Sequence, residues 1–142
     1  MRWLGIDLGE RRIGLAVSDP LEITAQSHSV RHRDGNLAAD LDYLGKIIRE
    51  LEIEGVVLGL PRNMNGSEGP MAEKVRIFGK RLAEKIEVPV VFWDERLSTR
   101  SAERILLEAD LSRQKRKQKI DQLAASIILQ NFLEARARSP LP

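Results

Sequence analysis

The sequence has no cysteine, two histidines and few aromatics. Without cysteine there is no disulfide framework and no thiolate metal site, which is compatible with a reducing compartment; a cytoplasmic protein is expected. His28 and His32 stand four apart, but on an expected strand and turn they share no helix face, so no zinc site is expected and neither is given a role. No apolar run approaches the ~20 residues that span a bilayer, which argues against a membrane partner. The opening residues are mixed, with Asp7 early, and do not read as a secretion signal. The aromatics are Trp3, Tyr43, Phe78, Phe92, Trp93 and Phe132, and most read as core. A stacking platform for single-stranded bases is therefore poorly supported.

A large net charge is also lacking: the total is +2. Its distribution is uneven, however. The residues from Arg96 onward carry a net +5 and the rest a net −3. Such asymmetry fits either a basic face meeting an anionic partner or a solvated basic surface.

What is present suits one compact domain of 142 residues, expected over 1–138, with 139–142 as a frayed tail. Trp3-Leu4-Gly5-Ile6 and Ile13-Gly14-Leu15-Ala16-Val17 read as strands joined by a short hairpin at Gly9-Glu10-Arg11-Arg12. A weaker third strand runs from Ile23 to about Arg31. Leu37, Leu41, Leu44, Ile48 and Leu51 recur at helical spacing behind Asn36, a good N-cap. Val56-Val57-Leu58 reads as a buried strand. Gly59 to Pro70 holds too many turn formers for regular structure, and Pro70 suits the first turn of a helix striped by Met71, Val75, Phe78, Leu82 and Ile86. A strand at Pro89 to Trp93 follows. A helix capped by Ser98 or Thr99 then leads to a polar basic stretch, Ser112 to Lys119, and a last helix from near Ile120 to about Arg136. The order β-β-β-α-β-α-β-α-α describes an α/β domain with an antiparallel opening meander and parallel strands after it, five strands in a mixed sheet.

Three acids fall in unusual places. Asp7 ends the first strand, Glu95 lies just past the last strand, and Asp121 opens the last helix on a face shared with Ala124, Ala125 and Ile128. Ligands of parallel sheets bind beyond the carboxyl ends of strands, so the three are candidates for one site. Carboxylates gathered there repel one another unless a cation neutralises them, and an all-oxygen donor set selects Mg²⁺ or Mn²⁺. Two such ions about 4 Å apart activate water and stabilise a departing oxygen in phosphoryl transfer. Taken singly, each acid has another explanation. Asp7 is also a strand-end turn acid, Glu95 a surface partner of Arg96, and Asp121 a helix N-terminal acid favoured by the dipole. Asp94 and Asp19 are possible further acids of the site.

At these residues the sequence resembles the YqgF family of Holliday junction resolvase-like and pre-16S ribosomal RNA nucleases. The resemblance spans nearly the whole chain and rests on four segments: GIDLGERRIGLAVSD from Gly5, GLPRNMNGSEGP from Gly59, DERLST from Asp94 and KIDQLAASIIL from Lys119. It implies a three-layer RNase H-like fold, with the first strand beside the Val56 strand. It also implies Asp7, Glu95 and Asp121 as the acidic active site, and 5′-end processing of pre-16S rRNA, with branched DNA as the alternative substrate.

Arg113, Lys115, Arg116, Lys117 and Lys119 place five positive charges just ahead of Asp121. They read as phosphate contacts that order on substrate, or else as a mobile solvated loop. Arg96 is placed to steady Glu95 or to meet a scissile phosphate. Asn63, Asn65 and Ser67 in the glycine-containing loop are candidates for the sugar-phosphate backbone. Two other classes stay open: a non-catalytic nucleic-acid-binding module, and an actin-like ATPase, whose phosphate hairpin GIDLGERRIG resembles but whose second domain 142 residues do not supply. Oligomeric state is open between monomer and homodimer; paired nicks in a junction would favour a two-fold dimer.

Overall fold

The structure is a computed structural model that describes residues 1–96 and the helix Arg113–Arg138; for residues 113–122 it describes the backbone alone. Five strands form one sheet: β1 (Trp3–Leu8), β2 (Arg12–Ser18), β3 (Ala25–His32), β4 (Gly55–Leu60) and β5 (Val90–Asp94). Helix α1 (Leu37–Glu50) precedes β4, α2 (Pro70–Lys85) precedes β5, and α3 (Arg113–Arg138) follows it. The strand order is β3-β2-β1-β4-β5. The first three strands pair antiparallel, whereas β4 runs parallel to both β1 and β5.

Alternation along β1 sorts the core into two layers. Leu4, Ile6 and Leu8 point into a cluster with Leu41, Leu44, Ile47 and Ile48 of α1 and Val75, Phe78 and Leu82 of α2. Trp3 points the other way, into a cluster with Val57 and with Ala125, Leu129 and Leu133 of α3. Helices thus cover both faces, α1 and α2 on one and α3 on the other, as the three-layer expectation requires. Six consecutive buried residues in β4 follow from that central position.

The local signals act as expected. The Asn36 side chain accepts a bond from the Ala39 N–H at 3.1 Å and starts α1. Pro70 sits in the first turn of α2. Two boundaries differ from the sequence reading. The strand expected from Ile23 begins at Ala25, because the Asp19 carboxylate collects the N–H groups of Leu21, Ile23 and Thr24 into a turn. The basic stretch expected as a loop is helical from Arg113. Lysine, arginine and glutamine are strong helix formers and extend the helix beyond its apolar face. The helix expected after Ser98 or Thr99 and the tail at 139–142 lie outside the described residues.

An ion cluster unforeseen in the sequence joins β3 to α1. Asp40 is fully buried and accepts from Arg31 Nε and Arg33 Nε, each at 2.9 Å. Arg33 also donates to the Gly9 carbonyl at 2.7 Å, and its N–H to that of Arg11 at 2.8 Å. The turn of the β1–β2 hairpin, which Asp7 closely precedes, is held by this cluster.

Candidate active site

Asp7 shares the α3 face of β1 with Trp3 and Gly5, by the two-residue period of a strand. Its partner on β2 is Gly14. On β4 the parallel register Ile6↔Leu58 continues to Gly59 beside Asp7. Asp7 therefore lies between glycines on both neighbouring strands, with no side chain of either strand beside it.

Glu95 follows β5 on the same face as Val91 and Trp93. Its N–H extends the β4–β5 pairing by a bond to the Leu60 carbonyl at 3.3 Å. The carboxylate reaches back across β4. A Cβ built on Gly59 would fall under 3.0 Å from Glu95 Oε2, so the acid occupies the space that a side chain at 59 would take.

Burial of Glu95, then repulsion from Asp7 and Asp94, pushes its pKa up to about 7. That repulsion also establishes that Asp7 and Glu95 are electrostatic neighbours. No cation among the described residues draws the Glu95 pKa back down. Asp94 behaves in the opposite way. The Arg96 guanidinium, bonded to it through Nε at 2.8 Å, holds it below the ordinary carboxylate range against the effect of burial. Arg96 is thus the partner of Asp94, where the sequence reading left it to steady Glu95 or to meet a scissile phosphate. It also donates to the Met64 carbonyl at 3.3 Å, strapping the end of β5 to the glycine loop.

The position of Asp121 follows from the register of α3. A Cβ on Gly5 would lie 2.8 Å from Leu129 Cβ and 3.1 Å from the Ala125 carbonyl, so the helix crosses the sheet there at backbone contact distance. Arg136 lies over the Trp3 ring at 5.2 Å, so α3 runs antiparallel to β1. Two strand residues advance about 6.6 Å. Four helical residues advance about 6 Å. The step from Gly5 to Asp7 therefore corresponds to one turn of α3 before Ala125, the position of Asp121. The C-terminal half is pinned by Gln130, which accepts from Ala25 N–H at 2.9 Å and donates to the Ile23 carbonyl at 3.1 Å, and by Arg136, which donates to Glu22 at 2.8 Å. Arg113, Lys115, Arg116, Lys117 and Lys119 belong to the opposite end of the helix, towards Asp7.

Asn63 and Asn65 are exposed but knit their own loop. Asn63 Nδ2 donates to Ser67 Oγ at 3.0 Å, and Asn65 Oδ1 accepts from the Ser67 N–H at 3.0 Å and from its hydroxyl at 2.6 Å. Asp19 lies at the far end of the sheet, since β2 runs antiparallel to β1, and its turn bonds account for it. Among the described residues no three acids or histidines converge as a metal site; the charges that act on Glu95 are Asp7 and the Arg96-bound Asp94. Sequence reading missed Gly59 and Arg62. Gly59 was seen only as the start of a turn-rich stretch. Arg62 is a half-buried cation whose charge helps lower the Asp94 pKa.

The family model described as "RuvX: Holliday junction resolvase" matches residues 1–135. A protein named "Putative pre-16S rRNA nuclease" from Syntrophomonas wolfei is 55% identical over 134 residues, covering 94% of each chain. One of the same name from Heliobacterium modesticaldum is 50% identical over 137 residues, covering 96% of this chain and 91% of the relative. Among solved structures, T. thermophilus RuvC in complex with Holliday junction substrate superposes with a TM-score of 0.57 at 19% identity over 96% of both chains, a likeness of fold. With half the residues identical from end to end, and with a RuvC-like sheet bringing Asp7 and Glu95 to one edge, the chain belongs to the RuvX family of Holliday junction resolvases, a family of nucleases and hence hydrolases.

Proposed function

We propose that the protein is a divalent-metal-dependent nuclease acting in 5′-end processing of pre-16S rRNA, with Asp7, Glu95 and Asp121 as its metal-holding acids. The observation that carries this reading is the juxtaposition of Asp7 with a buried Glu95 that has no compensating cation among the described residues. An all-oxygen donor set under mutual repulsion fits Mg²⁺ or Mn²⁺ and no softer ion. The one-turn register of Asp121 supports it as the third acid. The substrate follows the names of the relatives that cover nearly the whole chain.

A bound ion would supply Lewis acidity towards the phosphate and a lowered pKa for an attacking water. Asp7, flanked by glycines, would hold the central position, with Glu95 and Asp121 on either side. Glu95 must lose its proton before it can serve as a ligand, and its pKa sets the pH at which it does so. Arg113, Lys115, Arg116, Lys117 and Lys119, at the end of α3 nearest the acids, would hold the phosphate backbone. Arg96, Asn63 and Asn65 would present the glycine loop to it. Cytoplasmic action suits such a substrate, and no described helix is long and apolar enough to cross a membrane.

The test is cleavage of a precursor RNA spanning the 16S 5′ end and of a four-way DNA junction, each with Mg²⁺, Mn²⁺ or EDTA. Metal-dependent cutting of the RNA is the expected result. Preference for the junction would establish the family description literally, and salt-sensitive binding without cleavage of either would reduce the protein to a binding module. Asp7→Asn should fold normally and lose at least about 100-fold in rate, since a metal supplies several kcal/mol to the transition state.

A further inference from the structure

The geometry points to Gly59 as the positioning residue of the site: its missing side chain is the seat of the Glu95 carboxylate. Glycine in the interior of a central strand is unfavourable in itself, losing backbone entropy and packing nothing. Its use there marks a place where something else must come close to the backbone. At Gly59 two groups do so. A Cβ would meet Glu95 Oε2 under 3.0 Å and Ile128 Cδ1 at 2.6 Å. Glu95 starts beyond the end of β5, with β4 between it and β1, so its oxygens approach Asp7 only by crossing β4. Gly59 is the residue of β4 that lies in that path, beside Asp7 in the parallel register.

Both groups that a methyl would meet are the far ends of flexible side chains, so Gly59→Ala can fold by turning them away. A turned Glu95 is then removed from Asp7. The rival reading is that Gly59 serves only the packing of Ile128 and α3 on the sheet. The two differ in which second substitution repairs the first.

This inference rests on the metal-holding reading above, and its test separates the two. Mn²⁺ binding is measured by calorimetry, and stability by thermal melts in EDTA, for wild type, G59A, G59A/I128V and G59A/E95A. Wild type is expected to bind Mn²⁺. G59A should bind it at least about tenfold more weakly, the scale of other losses of ligand orientation. Ile128→Val removes Cδ1 and should leave G59A binding weak. Wild-type affinity in G59A, or recovery of affinity in G59A/I128V, would overturn the role of Gly59. If G59A melts early or fails to fold, G59A/E95A should regain more stability than G59A/I128V; the reverse order would overturn the proposal. A wild-type protein that binds no Mn²⁺ would strike down the metal reading alone, and the order of recovery in the melts would still decide the role of Gly59.

Discussion

Glu95 keeps its proton to about pH 7 because water is largely excluded from it and two other carboxylates stand near. The unfolded chain ionises it near 4.5, so between these values the folded state binds the extra proton. The stabilisation is therefore complete below about pH 4.5 and is lost as pH rises through 7. Glu95→Gln keeps the shape without the charge. In EDTA it should match wild type near pH 4.5 and exceed it in stability above pH 7, by at most about 3 kcal/mol. Urea titrations at the two pH values check this; equal stability at pH 8 would mean that the ionised carboxylate finds a partner. A divalent ion should reverse the order, stabilising wild type and not the variant. Metal uptake by wild type should weaken about tenfold per unit as pH falls below 7, one proton being displaced. Asp94, a residue away, shows how local the control is: a guanidinium at 2.8 Å moves its pKa in the other direction.

Among the elements, the hairpin bearing Asp7 depends on a contact with no sequence signature. Asp40 reads as a polar residue in the first turn of α1, the ordinary place for an acid near a helix dipole, yet it is fully buried between Arg31 and Arg33. Asp40→Ala leaves two guanidiniums partly buried without their counter-ion and should cost about 3–5 kcal/mol, read by urea denaturation. An exposed pair such as Lys46–Glu50 should cost under about 1 kcal/mol when broken. What was legible in the sequence were features written in consecutive residues: alternation in β1 and β2, the apolar stripes of α1 and α2, the cap at Asn36 and the first-turn proline at Pro70. The start of α3 was not, because apolar periodicity marks only the part of a helix that packs, and Arg113 to Lys119 contains no apolar residue. The strand order was not derivable from periodicity either, and came only from family resemblance. Asp7 and Glu95 were singled out by their positions at strand ends. The seat at Gly59 was invisible because a missing side chain announces nothing about what fills its place.

At the scale of the molecule, α3 is the helix that the described residues place on the face of the acids. Its Gln130 and Arg136 end is bonded to the far edge of the sheet, and its basic end belongs to the acid edge. The net +5 of the chain from Arg96 onward is therefore partly carried by the segment nearest the proposed substrate. Replacing Lys115, Arg116 and Lys117 together by Gln should lower the slope of log affinity against log salt by about 2 to 3 for RNA. Filter binding from low to high salt would measure it, and an unchanged slope would show that these charges contact no phosphate. The basic end has a cost of its own. Its five cations stand within seven consecutive residues, and like charges one turn apart on a helix repel one another. A phosphate chain laid alongside would offset that repulsion, so the substrate that this segment attracts would also steady the helix that holds it.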